Sequence, residues 1–141
     1  MKIVTRKYCD WDDRIKKRLK YATLPGGFLK RFMKAAPDSI TLVAFSRKQI
    51  MGWVFVFSIG GENFVNIFVN ERYRNRGVAT CLIKQTLKVF PKITLARWNR
   101  VTGKFFTKLE ENNPGKIKVI GWRDGAVDRY TKIVECLRKQ K

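Results

Sequence analysis

Apolar residues in this chain fall into short runs that are separated by turn residues. Runs of this length, rich in valine, isoleucine and phenylalanine, are typical of β-strands. On this basis we predict strands at residues 2–8, 40–45, 50–59, 64–69, 93–98 and 116–122. Residues 129–136 fit either a further strand or a helix, because their apolar positions allow both periods.

Helices are predicted where apolar residues recur at every third or fourth position. The first helix has its apolar stripe at Trp11, Ile15 and Leu19, and Asp10 stands where a residue capping it would be expected. A second helix follows a Pro-Gly-Gly turn and covers residues 28–34. The outward faces of both helices are basic, which indicates either a solvated surface or a binding patch.

Two more helices are predicted in the second half of the chain. One begins at Val78 and stops before Pro91, and the other contains Phe105 and is capped by Asn99 or Thr102. The resulting order is one strand, two helices, three strands, a helix, a strand, a helix and two strands. This alternation indicates a mixed α/β (α+β) fold.

Composition adds a strong positive charge to this picture. Lysine and arginine number 31 against 11 aspartate and glutamate residues, which gives a formal net charge of +20. Such a field favours polyanions, namely RNA or tRNA, DNA or an acidic protein, although it also serves solubility. The apolar content of 45% predicts a single globular domain over residues 1–141.

The composition also argues against several kinds of site and location. The chain has no histidine, so the commonest catalytic base and zinc ligand is missing and no metal site is expected. Three cysteines without metal-binding spacing fit free thiols in a reducing compartment, so a cytoplasmic location is expected. No apolar run approaches the length of a membrane span, so no membrane partner is expected.

The clearest functional signal is a strand followed by a basic turn and a helix. The strand ends at Val69, and the turn carries Arg74, Arg76 and Gly77 before the helix begins at Val78. The unpaired N–H groups and the dipole of a helix N-terminus favour an anion, and glycine lets a phosphate approach the backbone. The segment therefore predicts an anion site that suits a pyrophosphate.

Within this segment, Arg74-x-x-Gly77-x-Ala79 fits the pattern Gln/Arg-x-x-Gly-x-Gly/Ala directly after a hydrophobic strand. It resembles the acetyl-CoA loop of the GNAT N-acetyltransferases, and the predicted order of elements is similar to theirs. The resemblance implies a mostly antiparallel sheet of about six to seven strands, splayed between the fourth and fifth, with about four helices.

A second stretch carries the same resemblance. It reads Asn99-x-x-Thr102-x-x-Phe105-Phe106-x-Lys108 and is similar to the family's Asn-x-x-Ala-x-x-Leu-Tyr-x-Lys. Asn99 matches the asparagine that contacts the pantetheine arm, and a simple helix cap is the other interpretation of this residue. The family's continuation is replaced by two glutamates, so the match ends there.

The resemblance implies that acetyl-CoA is the cofactor and that a primary amine attacks its thioester directly. Pantetheine would pair with the backbone near Phe68 and Val69, where a main-chain N–H could stabilise the oxyanion. The residues implied in cofactor binding are Phe68, Val69, Arg74, Asn75, Arg76, Gly77, Val78, Ala79, Thr80 and Asn99.

The catalytic positions depart from the family pattern. Phe106 stands where many members have a tyrosine that protonates the leaving thiolate, and phenylalanine cannot do this. Another group such as Tyr130 or Tyr73 could serve, the thiolate could leave unassisted, or the protein could be weakly active or inactive; core packing is the plain interpretation. Glu62 is the acid nearest to the fourth strand, as a base acting through water or as an ordinary turn residue.

These departures bear on the acceptor. At pH 7 about one lysine in 2,500 is neutral, against roughly one α-amino group in seven, so a site without a clear base suits an α-amine. With the basic charge, this favours aminoacyl-tRNA or a protein N-terminus, while lysine stays open. The expected acceptor or polyanion patch comprises Arg14, Lys17, Arg18, Lys30 and Arg31. The alternative is an inactive module of the same fold that binds nucleic acid or an acidic protein.

Overall fold

The computed structural model describes residues 1–21, 37–59, 61–96 and 100–120. Its strands are β1 Lys2–Lys7, β2 Ile40–Ser46, β3 Gln49–Ile59, β4 Glu62–Val69, β5 Ile93–Ala96 and β6 Ile117–Ile120. Its α-helices are α1 Asp13–Tyr21, α2 Val78–Val89 and α3 Arg100–Asn112, with short 3-10 turns at Tyr8–Asp10 and Glu71–Tyr73. The predicted α/β class is confirmed, with six strands and three α-helices in the described residues.

The six strands form one mixed sheet in the order β1-β2-β3-β4-β5-β6. The first four strands pair antiparallel through short links, whereas β4, β5 and β6 run parallel. Parallel neighbours need a crossover, and α2 and α3 provide the two crossovers. The carboxyl end of β4 therefore leads directly into α2.

The main core lies between the sheet and helices α2 and α3. Along β4, Val65 belongs to this core and Ile67 and Val69 pack against it, so alternate residues of the strand face the helices. Leu82 and Ile83 of α2 and Leu109 of α3 cover these strand residues. The rigid packing fixes the strand end and the start of α2 relative to each other.

The opposite face of the sheet carries the larger aromatic residues. Trp53 and Phe55 of β3 are fully buried, and Tyr8 meets Phe55 edge to face with ring centroids 6.4 Å apart. The ring centroids of Trp11 and Phe45 lie 6.1 Å apart. Leu19, whose exposure is 0%, is the α1 residue that the first apolar stripe correctly marks as buried.

Several predicted boundaries need correction. The cap of α1 is Asp12 and not Asp10, because the Asp12 carboxylate accepts the Ile15 N–H at 2.9 Å while Asp10 lies in a 3-10 turn. Thr102 is inside α3, so it does not cap that helix. The predicted second helix, Asn99 and residues 129–136 lie outside the described residues. Among those described, no helix is long and apolar enough to cross a membrane.

Candidate functional site

The basic turn after β4 forms a short, well-defined link into α2. The Asn70 N–H donates to the Met51 carbonyl at 2.8 Å, and the Tyr73 N–H donates to the Asn70 carbonyl at 2.8 Å. Gly77 then takes the left-handed conformation, with φ 79° and ψ 7°, and serves as the N-cap of α2. Glycine adopts this conformation without the steric cost that a Cβ brings. The chain can thus turn sharply into the helix.

The start of α2 presents backbone donors to open space. The Cys81 N–H makes the first bond of the helix, to the Gly77 carbonyl at 3.0 Å. No acceptor within the described part of the chain takes the N–H groups of Val78, Ala79 or Thr80, and no side chain caps the helix. A Cβ built on Gly77 would meet nothing within 4 Å. This arrangement, with the helix dipole, can hold an anionic group.

The two arginines of the loop do different things. The Arg74 Nε donates to the Val69 carbonyl at 3.0 Å, and its guanidinium carbon lies 6.0 Å from the centroid of the Phe68 ring. Arg74 therefore fastens the loop to the end of β4. Arg76 is exposed, and no carboxylate among the described residues lies within ion-pair distance of it. Arg76 is the arginine available to an anion at the start of α2.

The pairing of β4 with β5 stops early. It covers only Phe64 with Thr94 and Val65 with Leu95, while β5 still pairs with β6 one residue further, Ala96 with Ile120. Beyond Val65, the described residues of β5 no longer follow β4. The bond from Asn70 to Met51 shows that even-numbered residues of β4 direct their backbone groups towards β3. The backbone groups of Ile67 and Val69 consequently point to the β5 side, where no described strand residue pairs with them.

A residue that the sequence did not single out lies at this point. The Asn66 side-chain nitrogen is buried and has no hydrogen-bond partner in the described structure. Asn66 lies opposite Phe55 of β3, on the face away from α2. Its signal in the sequence is a single amide within the otherwise apolar run 64–69. Because a buried donor without a partner is costly, Asn66 is a candidate for contacting a ligand.

The two catalytic candidates lie away from the positions where they could act. Glu62 is distant from the loop, and Phe106 is buried away from solvent. Glu62 begins β4, which spans 8 residues, so at about 3.3 Å per residue it lies about 23 Å from Val69. There it lines a cavity of about 270 Å³ with Lys92, Lys116 and Lys118. Phe106 is only 5% exposed and packs in the core, 5.9 Å from the Phe105 ring.

The predicted basic patch is partly described. Arg14 and Lys17 are exposed on α1. The Arg18 guanidinium donates to the Lys48 carbonyl at 3.2 Å, so it holds α1 against the turn between β2 and β3. Lys30 and Arg31 lie outside the described residues.

No protein-family model matches the chain, and no curated protein sequence matches it. The fold and the loop define an α/β protein with a candidate anion site at the end of a central strand.

Proposed function

We propose that this chain is an acetyl-CoA-dependent N-acetyltransferase of the GNAT type that acetylates a primary amine. One observation carries the proposal: a left-handed glycine starts α2 after the basic loop that follows β4, and among the described residues β4 pairs with β5 only as far as Val65. A candidate anion site therefore follows a strand end that has no partner on its β5 side among the described residues. A phosphorylated cofactor with an extended amide-containing arm needs both features.

The cofactor would lie across these two features. Its pyrophosphate would contact the amides between Asn75 and Thr80 and the Arg76 side chain. Its pantetheine arm would pair with the groups of Ile67 and Val69 on the open side. The Val69 carbonyl already accepts a hydrogen bond from Arg74, so it is not free for the cofactor. The N–H groups of Ile67 and Val69 would therefore supply most of the contacts on that side of β4. One of them would stabilise the oxyanion that forms at the thioester.

The chemical step needs little from the protein. The lone pair of a neutral amine attacks the thioester carbonyl carbon, and a tetrahedral oxyanion forms. Its collapse would break the carbon–sulfur bond and release the thiolate of coenzyme A, while the nitrogen would pass its proton to water and become an amide. A thiolate is a fair leaving group because its pKa is modest, so departure without a tyrosine at position 106 is chemically reasonable.

The acceptor we propose is an amine within or bound to a nucleic acid, such as aminoacyl-tRNA or the N-terminus or a lysine of a nucleic-acid-associated protein. The net charge of +20 attracts such a partner. Glu62 lies too far from the loop to act as a base there, which favours an α-amine that is partly neutral at pH 7. Such an enzyme would work in the cytoplasm.

An inactive module of the same fold is the second candidate. The burial of Phe106 in the core favours it, because that side chain neither reaches solvent nor transfers a proton. Such a module would bind nucleic acid or an acidic protein through its charge alone.

A pair of substitutions at Gly77 tests the proposal. Any side chain here is strained by the positive φ, but asparagine and aspartate tolerate the left-handed conformation and have nearly the same shape. Gly77→Asn is thus the matched control for Gly77→Asp, which adds one negative charge beside the pyrophosphate. Isothermal titration with coenzyme A should give a much weaker affinity for the aspartate variant than for the asparagine variant.

Equal affinities for coenzyme A in the two Gly77 variants would refute the placement of the pyrophosphate. If the parent protein does not bind acetyl-CoA at saturating concentration, the proposal that it is an acetyltransferase is refuted. Binding without thiol release on a panel of amines and aminoacyl-tRNA would favour the inactive module.

A further inference from the structure

The turn between β2 and β3 has an unusual backbone for its sequence. Ser46 pairs with Gln49, so only Arg47 and Lys48 form the loop of the hairpin. Arg47 has φ 57°, in the left-handed region where glycine or asparagine is normally found. An arginine here costs conformational energy, and both loop side chains are exposed. Local structure alone therefore does not explain the choice of residue.

The same turn is fastened on both sides. The Arg18 guanidinium of α1 donates to the Lys48 carbonyl at 3.2 Å, and the Tyr73 hydroxyl donates to the Gln49 side-chain oxygen at 2.6 Å. The hairpin therefore lies between the basic helix α1 and the loop that follows β4. Its position is fixed relative to both, which suits a binding surface.

These three elements bring like charges together. The cations that they contribute are Arg18, Arg47, Lys48, Arg72, Arg74 and Arg76, and all are exposed. Among the described residues, the one recorded ion pair joins Lys118 to Glu62 at the opposite end of β4. None of the six cations is therefore neutralised by a described carboxylate. Such a cluster attracts a polyanion.

We propose that the turn Arg47-Lys48 binds the phosphodiester backbone of a nucleic acid. Both residues of the turn are exposed cations, which suit phosphate groups rather than base edges. Contacts with phosphates, which carry no sequence information, fit this chemistry. The surface supplies a site for the acceptor of the proposed function but does not depend on acetyl transfer.

The test compares two double variants with the same loss of charge. R47N/K48Q removes the charges of the turn, and asparagine keeps the left-handed conformation. The matched control K84Q/K88Q removes two exposed lysines of α2. Binding is measured by fluorescence anisotropy with a short labelled RNA duplex and a DNA duplex of the same sequence, at several salt concentrations and without acetyl-CoA. Thermal melting checks that every variant is folded.

Each phosphate contact contributes about 0.9 to the slope of log affinity against log salt, or about fivefold in affinity near 0.15 M. We expect R47N/K48Q to lose about 30-fold and to have a slope about 1.8 shallower if both side chains contact phosphates. The control should retain more affinity and a steeper slope. Comparison of the RNA duplex with the DNA duplex shows which of the two nucleic acids supplies the phosphodiester backbone.

Three results would overturn the proposal. One is an unchanged affinity of R47N/K48Q for both duplexes. Another is an equal loss in K84Q/K88Q, since net charge alone would then account for binding. The third is binding of polyglutamate but of neither duplex by the parent, which would assign the surface to an acidic protein. Each result is independent of whether the chain transfers acetyl groups.

Discussion

Gly52 of β3 is the position where one added methyl group should disturb the candidate site most. It pairs with Val69 at the end of β4. A Cβ at Gly52 would lie 2.7 Å from the Phe68 carbonyl oxygen and 3.2 Å from the Val69 Cα, and both are backbone atoms that no rotamer change can move. Reaching 3.4 Å from the oxygen requires a displacement of about 0.7 Å between the strands.

The expected stability cost of Gly52→Ala follows from this overlap. Overpacking of a rigid interior costs about 1–3 kcal/mol, and replacing a strand glycine by alanine recovers about 0.5–1 kcal/mol. The net loss of up to about 2.5 kcal/mol corresponds to a melting temperature lower by up to about 8 °C. Differential scanning fluorimetry measures this change directly.

The functional cost should be larger than the stability cost. A displacement of this size at Phe68 and Val69 moves the backbone donors on the open edge of β4, and an error of about 1 Å in such a group can cost about 100-fold in rate. We expect kcat for acetyl transfer to fall at least about tenfold, while coenzyme A affinity at the loop changes less. Steady-state kinetics with acetyl-CoA varied separates the two effects.

Gly115→Ala provides the control for this experiment. Gly115 has φ 76° and open space around it, at the end of the sheet near Glu62. The left-handed conformation makes alanine there cost about 1–2 kcal/mol, similar to the loss at Gly52. Its kcat should stay at the parent's value. A parent-like kcat in Gly52→Ala, or an equal fall in both variants, would refute the role assigned to the strand end.

Two further variants examine single side chains. Asn66→Val should stabilise the fold by about 1–2 kcal/mol, because it removes a buried donor without a described partner, yet it should slow acetyl transfer; a fall in melting temperature would show that the amide is satisfied. Phe106→Tyr should lower stability by about 1–3 kcal/mol without raising kcat, since its hydroxyl would enter the core; a higher kcat would instead restore the role of an acid at this position.

The sequence predicted the parts of the site that depend on neighbouring residues. The strand, the basic turn and α2 follow one another along the chain, and Gly77 was expected as the residue that lets a phosphate approach the backbone; its left-handed conformation is seen only in the structure. The prediction of Asp10 as the cap of α1 was wrong because Asp10 lies in a 3-10 turn at Tyr8–Asp10, which has no periodic signal, and Asp12 caps the helix instead.

The features missed by the sequence depend on pairing between distant strands. Gly52 gains its meaning from the register that places it beside Val69, and an isolated glycine in a strand does not reveal that partner. Asn66 becomes notable because its buried side-chain nitrogen has no described partner, next to the point where pairing with the described residues of β5 ends. The bond from Arg18 to Lys48 joins residues 30 positions apart. Register and docking are properties of the assembled sheet.

The bond from Arg74 to the Val69 carbonyl also bears on aggregation. A stretch of strand with unpaired backbone groups is a template for pairing with a strand of another molecule. By occupying the carbonyl at the end of β4, the guanidinium removes one acceptor from that template and places a charge beside it. A small molecule could still use the remaining donors, but a second chain that needs alternating donors and acceptors would be opposed. Arg74 thus opposes pairing of this part of β4 with a strand of another molecule while leaving its N–H groups available to a small ligand.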